Sequence, residues 1–327
     1  MRLAAGQSGA RVVLAVAVVA ALACGAAVGG EEPDLKGVFG DAKTLGIAAI
    51  SSRVPLKSFA KVTNRLARAG YRMKVMPNVA EPVVASPERR AALLQQAWLD
   101  PEVDTVVFAY GGQGAMDVVP LLDWEKLRTR DMRVIGFSDL TVLVNTMLAK
   151  GVGHPYTGPV LTTLGYSNEA AVKRMRDMMA GRPGDVKLRV VKAGDKPVEG
   201  LAMGGLLDRL HRLAMNGGLP DSTGRVVFIE NTNKYAPRTD EMLGGMKEKG
   251  VFGRAAAVVF CDFNSKAPKE ETRAKMKAFA ESVPCPVFAG YPYGHISNTS
   301  TIDFCRTLTI APTGILSWRH DRPSAAQ

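Results

Sequence analysis

Residues 44–151 alternate between short apolar segments and amphipathic segments, and this alternation most constrains the fold. The apolar segments are "TLGIAAIS", "YRMKVMPN", "VDTVVFAYGG" and "MRVIGF", beginning at Thr44, Tyr71, Val103 and Met132. They are nearly continuous apolar runs, which is typical of parallel strands that are buried on both faces. The segments between them have helical patterns, so we predict an α/β domain with a parallel sheet covered by helices on both faces.

The 327 residues are enough for two domains. We predict an N-terminal domain over 42–181 with a doubly wound, mostly parallel sheet of flavodoxin-like type. The Pro/Gly-rich range 182–201 is predicted to be a crossover linker with an edge strand. A smaller mixed α/β domain with a barrel-like sheet is expected over 202–318, followed by a tail over 319–327.

The first thirty residues have the composition of a secretory signal peptide. Arg2 and Arg11 precede an apolar run from Val12 to Ala23, and small residues follow. The run is short for a membrane-spanning helix, so we predict a signal peptide and mature N-terminal tail over 1–30, and export. Cys24 follows "ALA" and makes lipoprotein anchoring a second option, although Ala21 stands where a larger aliphatic residue is usual.

The formal net charge is +11, and without Arg2 and Arg11 the chain has 40 basic and 31 acidic residues, a net charge of +9. A basic exported protein is attracted to anionic polymers, so we predict association with the cell wall or a membrane surface. A nucleic-acid partner is not predicted, because no arginine-rich stripe with interleaved aromatic residues is present.

Cysteines and histidines do not indicate a metal site. Beyond Cys24 the chain has three widely spaced cysteines, an odd number that predicts no disulfide framework. None of the four histidines lies near another ligand residue at metal-binding spacing, so we predict no zinc site.

The segment "GFSDLT" places Ser138 between a predicted strand and a predicted helix. A serine on such a turn exposes its hydroxyl above the sheet, with a helix N-terminus behind it. Gly136 relieves crowding at the turn, but Leu140 stands where the nucleophile elbow of hydrolases usually has a second glycine. By itself the pattern favours a helix cap, in which the hydroxyl accepts from a free N–H group, over a nucleophile.

The segment "YGGQG" ends the preceding predicted strand. Gly111 and Gly112 allow close backbone approach, and their N–H groups are candidates for an oxyanion hole completed by the N–H of Asp139. The alternative is an ordinary tight turn. The loop lacks the signatures of phosphate or dinucleotide binding.

Two further residues lie at predicted strand ends in the second half. Glu230 ends the apolar run "VVFIE", where a carboxylate is costly without a partner, and His295 follows "PVFAGYPYG". A serine nucleophile needs a base, and that base needs an orienting carboxylate. Ser138, His295 and Glu230 supply one residue for each role.

The order of these segments resembles the LD-carboxypeptidases, serine peptidases of murein recycling that include the microcin C immunity peptidases. The resembling segments are "YGGQG", "GFSDLT", "YTGP", the pair Gly204 and Gly205, "VVFIEN" and "YGHISN". The resemblance runs from about Thr44 to Pro312, and the order of the segments is its specific part.

The resemblance implies a Ser138–His295–Glu230 triad divided between two domains, with Gly111, Gly112 and Asp139 at the oxyanion. It implies hydrolysis of an L-D peptide bond in a small peptide or muropeptide and release of a terminal D-amino acid. No metal or cofactor is implied, and a homodimer is expected because family members are commonly dimers.

Several positions depart from the family pattern, and these bear on the substrate rather than the chemistry. Tyr110 and Gln113 replace an arginine and an aromatic residue in the glycine loop, and Leu206 replaces an asparagine. Lys234 and Glu241 stand where the family has a glutamate and an arginine. We therefore keep two alternatives: a non-catalytic wall- or peptide-binding protein on the same fold, and an amidase of peptidyl-nucleotides.

Overall fold

The computed structural model describes residues 32–319, except 233, 235 and 264–268. The predicted signal peptide, Cys24 and most of the predicted C-terminal tail lie outside the described residues, so export and anchoring stay predictions. Within the described part of the chain, no helix is both long enough and apolar enough to cross a membrane.

The first sheet is built mainly from the alternating segments of the N-terminal half. Its strands are β1 (Thr44–Ala48), β2 (Arg72–Val75), β3 (Thr105–Phe108), β4 (Arg133–Gly136), β5 (His154–Thr157) and β12 (Ile302–Asp303). The five N-terminal strands are parallel in the order β5-β4-β3-β1-β2, and β12 is antiparallel to β5. This is the flavodoxin-like order, so the predicted doubly wound sheet is confirmed.

Seven helices accompany this sheet: α1 (Leu56–Arg68), α2 (Pro87–Leu99), α3 (Ala115–Val118), α4 (Trp124–Leu127), α5 (Thr141–Lys150), α6 (Leu161–Leu164) and α7 (Glu169–Met179). Local sequence explains their ends. The Ser86 hydroxyl accepts from the N–H of Arg89, and Pro87 occupies the first position of α2. Gly70 follows the end of α1 with a positive φ of 92°, as its position as a stop signal predicts.

The second sheet has eight strands: β6 (Gly184–Lys187), β7 (Arg189–Lys192), β8 (Val198–Leu206), β9 (Val226–Glu230), β10 (Ala257–Phe260), β11 (Val287–Ala289), β13 (Thr307–Ile310) and β14 (Ile315–Trp318). Its order is β6-β14-β13-β8-β9-β10-β11-β7, with parallel pairing from β8 to β11 and antiparallel pairing outside them. Its helices are α8 (Leu207–Met215), α9 (Thr239–Glu248), α10 (Val251–Arg254) and α11 (Lys269–Glu281).

Two details of the C-terminal prediction need correction. The sheet is mixed, as expected, but it is open rather than barrel-like, because its edge strands β6 and β7 are not paired with each other. Both come from the range predicted to be a crossover linker. In addition, β12 lies within 202–318 but joins the first sheet.

The two sheets dock through backbone at the end of β8. The N–H of Leu206 donates to Thr141 Oγ1 at 3.0 Å, and Asn145 donates to the carbonyl of Gly204 at 2.9 Å. A Cβ on Gly205 would lie 2.4 Å from Thr141 Oγ1, so glycine at this position allows β8 to approach α5. The contact positions the second sheet directly beside the helix that follows Ser138.

The three cysteines of the second half, Cys261, Cys285 and Cys305, are free thiols.

Candidate active site

Ser138 occupies a strained turn between β4 and α5. Its φ is +59°, and it is the sole residue other than glycine with a positive φ in the described ranges. A left-handed backbone costs a residue with a Cβ about 1–2 kcal/mol, so the surrounding structure must enforce it. A Cβ on Gly136 would lie 2.7 Å from Leu140 Cβ, which shows why the turn needs glycine there.

His295 is held by a loop that both halves of the chain anchor. Gly294 precedes it with a φ of +142°, and a Cβ there would lie 2.8 Å from Asp262 Cβ. From α7, Arg174 donates to Ser300 Oγ at 2.6 Å and to the carbonyl of Asn298 at 2.9 Å. These contacts fix the loop that carries the imidazole.

Glu230 lies at the carboxyl end of β9 and is fully buried. Its Oε2 lies 3.1 Å from His295 Nδ1, while its Oε1 has no hydrogen-bond partner among the described residues. Burial raises the pKa of the Glu230 carboxyl, and the neighbouring His295 opposes this shift. The carboxylate is therefore held in an apolar setting where the imidazole is its partner.

The three side chains form one continuous hydrogen-bonded chain. His295 Nε2 lies 3.0 Å from Ser138 Oγ, and the opposite ring nitrogen faces Glu230. The Phe137 ring lies 4.7 Å from the imidazole, centroid to centroid, and limits its rotation. The structure thus brings the three predicted residues into contact, in an arrangement suited to activating a hydroxyl.

The helix-cap interpretation of Ser138 does not describe this turn. Phe137, not Ser138, is the N-terminal capping position of the short 3₁₀ helix Ser138–Leu140, and Leu140 is that of α5. The hydroxyl instead lies within hydrogen-bond distance of His295.

The glycine loop lies directly against the nucleophile turn. A Cβ on Gly111 would lie 3.4 Å from Ser138 Cβ and 3.7 Å from its Oγ. Gly112 has a φ of +113°, and a Cβ there would lie 2.3 Å from Ser52 Oγ. The N–H of Asp139 lies in the first turn of a helix, where N–H groups lack an intrahelical partner. These positions suit oxyanion donors, and that role stays a prediction.

A buried ionic cluster beneath the turn was missed at the sequence level. The Asp139 side chain accepts from Ser51 Oγ at 2.6 Å, from the N–H of Ala115 at 2.8 Å and from Arg209 Nε at 2.7 Å. Arg209 belongs to α8 and also pairs with Asp208. The residue after Ser138 is thus tied to the β1 loop, the glycine loop and the second half at once.

The residues that depart from the family pattern differ in burial and in their contacts. Leu206 is buried, and the N–H of Gln113 donates to Ser52 Oγ at 3.0 Å. Glu241 forms two hydrogen bonds with Arg238, at 2.7 and 2.9 Å. Lys234 is exposed.

A second polar cluster brings together residues that are far apart in the sequence. Potential ligand atoms of His154, Asp303 and Cys305 lie within 4.8 Å of one another, because β12 returns to β5. The Asp303 carboxylate already faces His154 Nε2 at 2.8 Å and Arg306 Nε at 3.7 Å. The carboxylate is therefore balanced by protein groups. His154 starts β5 at the amino ends of the parallel strands, whereas Ser138 follows the carboxyl end of β4.

Comparison with known proteins decides the family. The model of the LD-carboxypeptidase N-terminal domain matches residues 45–157, and that of the C-terminal domain matches 199–310. The chain belongs to the LD-carboxypeptidase family. Like its family, this protein is a serine-type carboxypeptidase-like hydrolase. The alternative of a non-catalytic wall- or peptide-binding protein is therefore set aside.

Similar proteins include the murein tetrapeptide carboxypeptidase of Pseudomonas aeruginosa, 26% identical over 68% of this chain and 77% of that protein. The microcin C7 self-immunity protein of Escherichia coli is 20% identical over 66% of this chain and 73% of that protein. The crystal structure of muramoyltetrapeptide carboxypeptidase from Oxalobacter formigenes shares the fold of this LD-carboxypeptidase family member. Its TM-score is 0.76, at 24% identity over 86% of this chain and all of that one.

The buried carboxyl of Glu230 predicts a pH dependence of stability. Because folding raises its pKa, its contribution is full below the unfolded pKa, about 4.3, and declines as pH rises through the folded pKa. We expect the unfolding free energy of the wild type to fall relative to that of Glu230→Gln as pH rises above about 4.3.

Urea unfolding at a series of pH values measures this shift. Glu241→Gln is the control, because the ion pair with Arg238 lowers the pKa of exposed Glu241. The contribution of Glu241 to the unfolding free energy is present above the unfolded pKa and is lost as pH falls, so its pH dependence is opposite to that of Glu230. If the unfolding free energy of the wild type instead rises relative to that of Glu230→Gln as pH increases, the raised pKa of Glu230 is contradicted.

Proposed function

We propose that this protein hydrolyses an L-D peptide bond in a murein tetrapeptide-like substrate and releases the terminal D-amino acid. The observation that carries the proposal is the continuous chain from Ser138 Oγ through His295 to Glu230, with contacts of 3.0 and 3.1 Å. The glycine loop and the N–H of Asp139 both lie beside Ser138, which further supports the proposal.

In the proposed reaction, Ser138 Oγ attacks the carbonyl carbon while His295 Nε2 accepts the hydroxyl proton. The negative charge that develops on the carbonyl oxygen is stabilised by the N–H of Asp139 and that of Gly111 or Gly112. His295 then gives its proton to the leaving amine, and the C–N bond breaks. Water, activated by the same imidazole, hydrolyses the acyl-Ser138 ester and regenerates the hydroxyl.

Glu230 orients the imidazole in this proposal. Its carboxylate accepts a hydrogen bond from Nδ1–H, so that Nε2 faces Ser138 unprotonated, and it stabilises the imidazolium formed after proton transfer. The burial of Glu230 keeps this contact away from competing water.

A second candidate is an amide joining a peptide or amino acid to a nucleotide. One solved structure of the microcin immunity protein is in complex with glutamyl sulfamoyl guanosine, and its TM-score to this chain is 0.73. At 18% identity that likeness supports the fold alone, so the murein-type substrate remains our first proposal. Export, association with the cell wall and a homodimer also remain proposals.

Mass spectrometry of the products tests the proposal. The full-length protein is incubated with a murein tetrapeptide or, separately, with an aminoacyl-nucleotide amide. We expect release of the terminal D-amino acid by the wild type and none by Ser138→Ala. Release that persists in Ser138→Ala would contradict the triad, and hydrolysis of the nucleotide amide alone would favour the second candidate.

A further inference from the structure

A cavity of about 340 Å³ opens beside the imidazole of His295. One wall is Phe137, the residue before the nucleophile, and another is the segment His295–Ser297. The first turn of α1, with Ser58, and helix α6, with Thr162 and Thr163, form the remaining walls. The cavity is thus continuous with the site and is built from several separate parts of the chain, including Tyr110 at the start of the glycine loop.

The position of the cavity relates it to one side of the scissile bond. In an acyl transfer, the carbonyl oxygen points toward the oxyanion donors, and the leaving nitrogen points toward the base that protonates it. The residues of the candidate donors, Asp139, Gly111 and Gly112, are not among the described residues that line the cavity. Its lining includes His295 and Phe137, together with Tyr110 at the start of the glycine loop. A group in the cavity is therefore part of the leaving residue.

The lining is uncharged except for the imidazole itself. Among the described residues, the cavity is lined by apolar side chains such as Pro55 and Ile296 and by hydroxyl groups, without Lys, Arg, Asp or Glu. Ser58 and Tyr166 pair their hydroxyls at 2.8 Å. A charged side chain would lose its hydration there without gaining a partner.

One hydroxyl in the lining lacks a partner. Thr162 is 5% exposed, and its Oγ1 has no hydrogen-bond partner among the described residues. A buried unpaired hydroxyl costs about 1–3 kcal/mol. Because Thr162 Oγ1 is covered by protein atoms, a ligand atom would satisfy it only after the side chain rotates toward the cavity. The methyl group of a terminal alanine would also leave most of the volume unfilled and forfeit dispersion contacts.

Resting on the proposed function, we propose that this cavity is a specificity pocket for the leaving residue. It selects a terminal D-residue whose side chain is uncharged and longer than a methyl group, with the carboxylate of that residue outside the cavity. Thr162 Oγ1 binds a polar atom at the end of such a side chain when one is present.

A substrate series tests this assignment. Peptides identical except for a terminal D-Ala, D-Leu, D-Gln, D-Lys or D-Glu are compared by kcat/KM with the full-length protein. We expect D-Leu and D-Gln to exceed D-Ala by about 10-fold or more, because added methylenes in an apolar pocket give 10–200-fold discrimination. D-Lys and D-Glu are expected to be the poorest. A D-Ala peptide that is cleaved as fast as D-Leu overturns the inference.

Two variants fill the cavity from different walls, Thr163→Phe from α6 and Ser58→Phe from α1. Each is expected to reduce the ratio of kcat/KM for D-Leu over D-Ala at least about fivefold, because the added ring occupies the space of the longer side chain. An unchanged ratio in either folded variant overturns the assignment. Ser138→Ala separates the two proposals: release that survives it refutes the proposed function, whereas Ser138-dependent release without the D-Leu preference refutes only the pocket.

Discussion

Ser138→Gly is expected to lose activity and to be more stable than Ser138→Ala. Either substitution removes the nucleophile and should lower kcat/KM by about 10⁴-fold or more. The two differ in backbone strain, since the turn has a φ of +59°. Glycine relieves a left-handed cost of about 1–2 kcal/mol but gives back about 0.5–1 kcal/mol of conformational entropy. We expect the glycine variant to exceed the alanine variant by about 0.5–1 kcal/mol in unfolding free energy.

The measurement is urea unfolding of the two variants and the wild type under one set of conditions. The comparison is matched, because both variants lack the hydroxyl and its contact with His295. An alanine variant as stable as the glycine variant would show that the turn is not strained. Activity retained in both would show that Ser138 is not the nucleophile.

Arg209→Met is expected to destabilise the protein by about 3–5 kcal/mol. Arg209 is 4% exposed and is the buried partner of Asp139 and Asp208. Methionine fills similar volume but leaves two buried carboxylates without that charge. Since Asp139 follows the nucleophile, we also expect kcat to fall more than KM changes.

Arg212→Met is the matched control for this prediction. Arg212 lies one turn further along α8 and contacts the same Asp208 at 3.1 Å, but its side chain is 52% exposed. Because the Arg212 end of the pair is solvated and Arg209 still neutralises the buried Asp208, the control should lose at most about 1 kcal/mol. Equal losses for the two variants would contradict the importance of the buried cluster.

The first sheet could be predicted because its signal is local. A buried parallel strand consists of consecutive apolar residues, and β1, β3 and the end of β4 show that composition directly. The candidate triad was predictable for a related reason. Ser138, Glu230 and His295 each lie at or soon after a strand end in the family order of segments, and ligands gather beyond the carboxyl ends of parallel strands.

Long-range pairing explains what the sequence did not predict. Strand β12 has two residues, too few for any periodicity, and its place beside β5 depends on a loop closure over more than a hundred residues. The Asp139–Arg209 cluster likewise joins residues 70 positions apart. An arginine on an amphipathic helix has the local pattern of a solvated residue, so its burial could be learned only from the packing.

Strand β12 also determines which part of the chain can stand alone. Without it, β5 would be the open edge of the first sheet, with unpaired N–H and C=O groups that invite pairing with other chains. The strand that covers this edge comes from the far end of the sequence, after the segment that carries His295. A fragment ending near residue 181 would contain the serine and all five strands of the flavodoxin-like order. Its exposed β5 edge would nevertheless make it prone to aggregation. The serine half and the histidine half are therefore expected to fold as one unit.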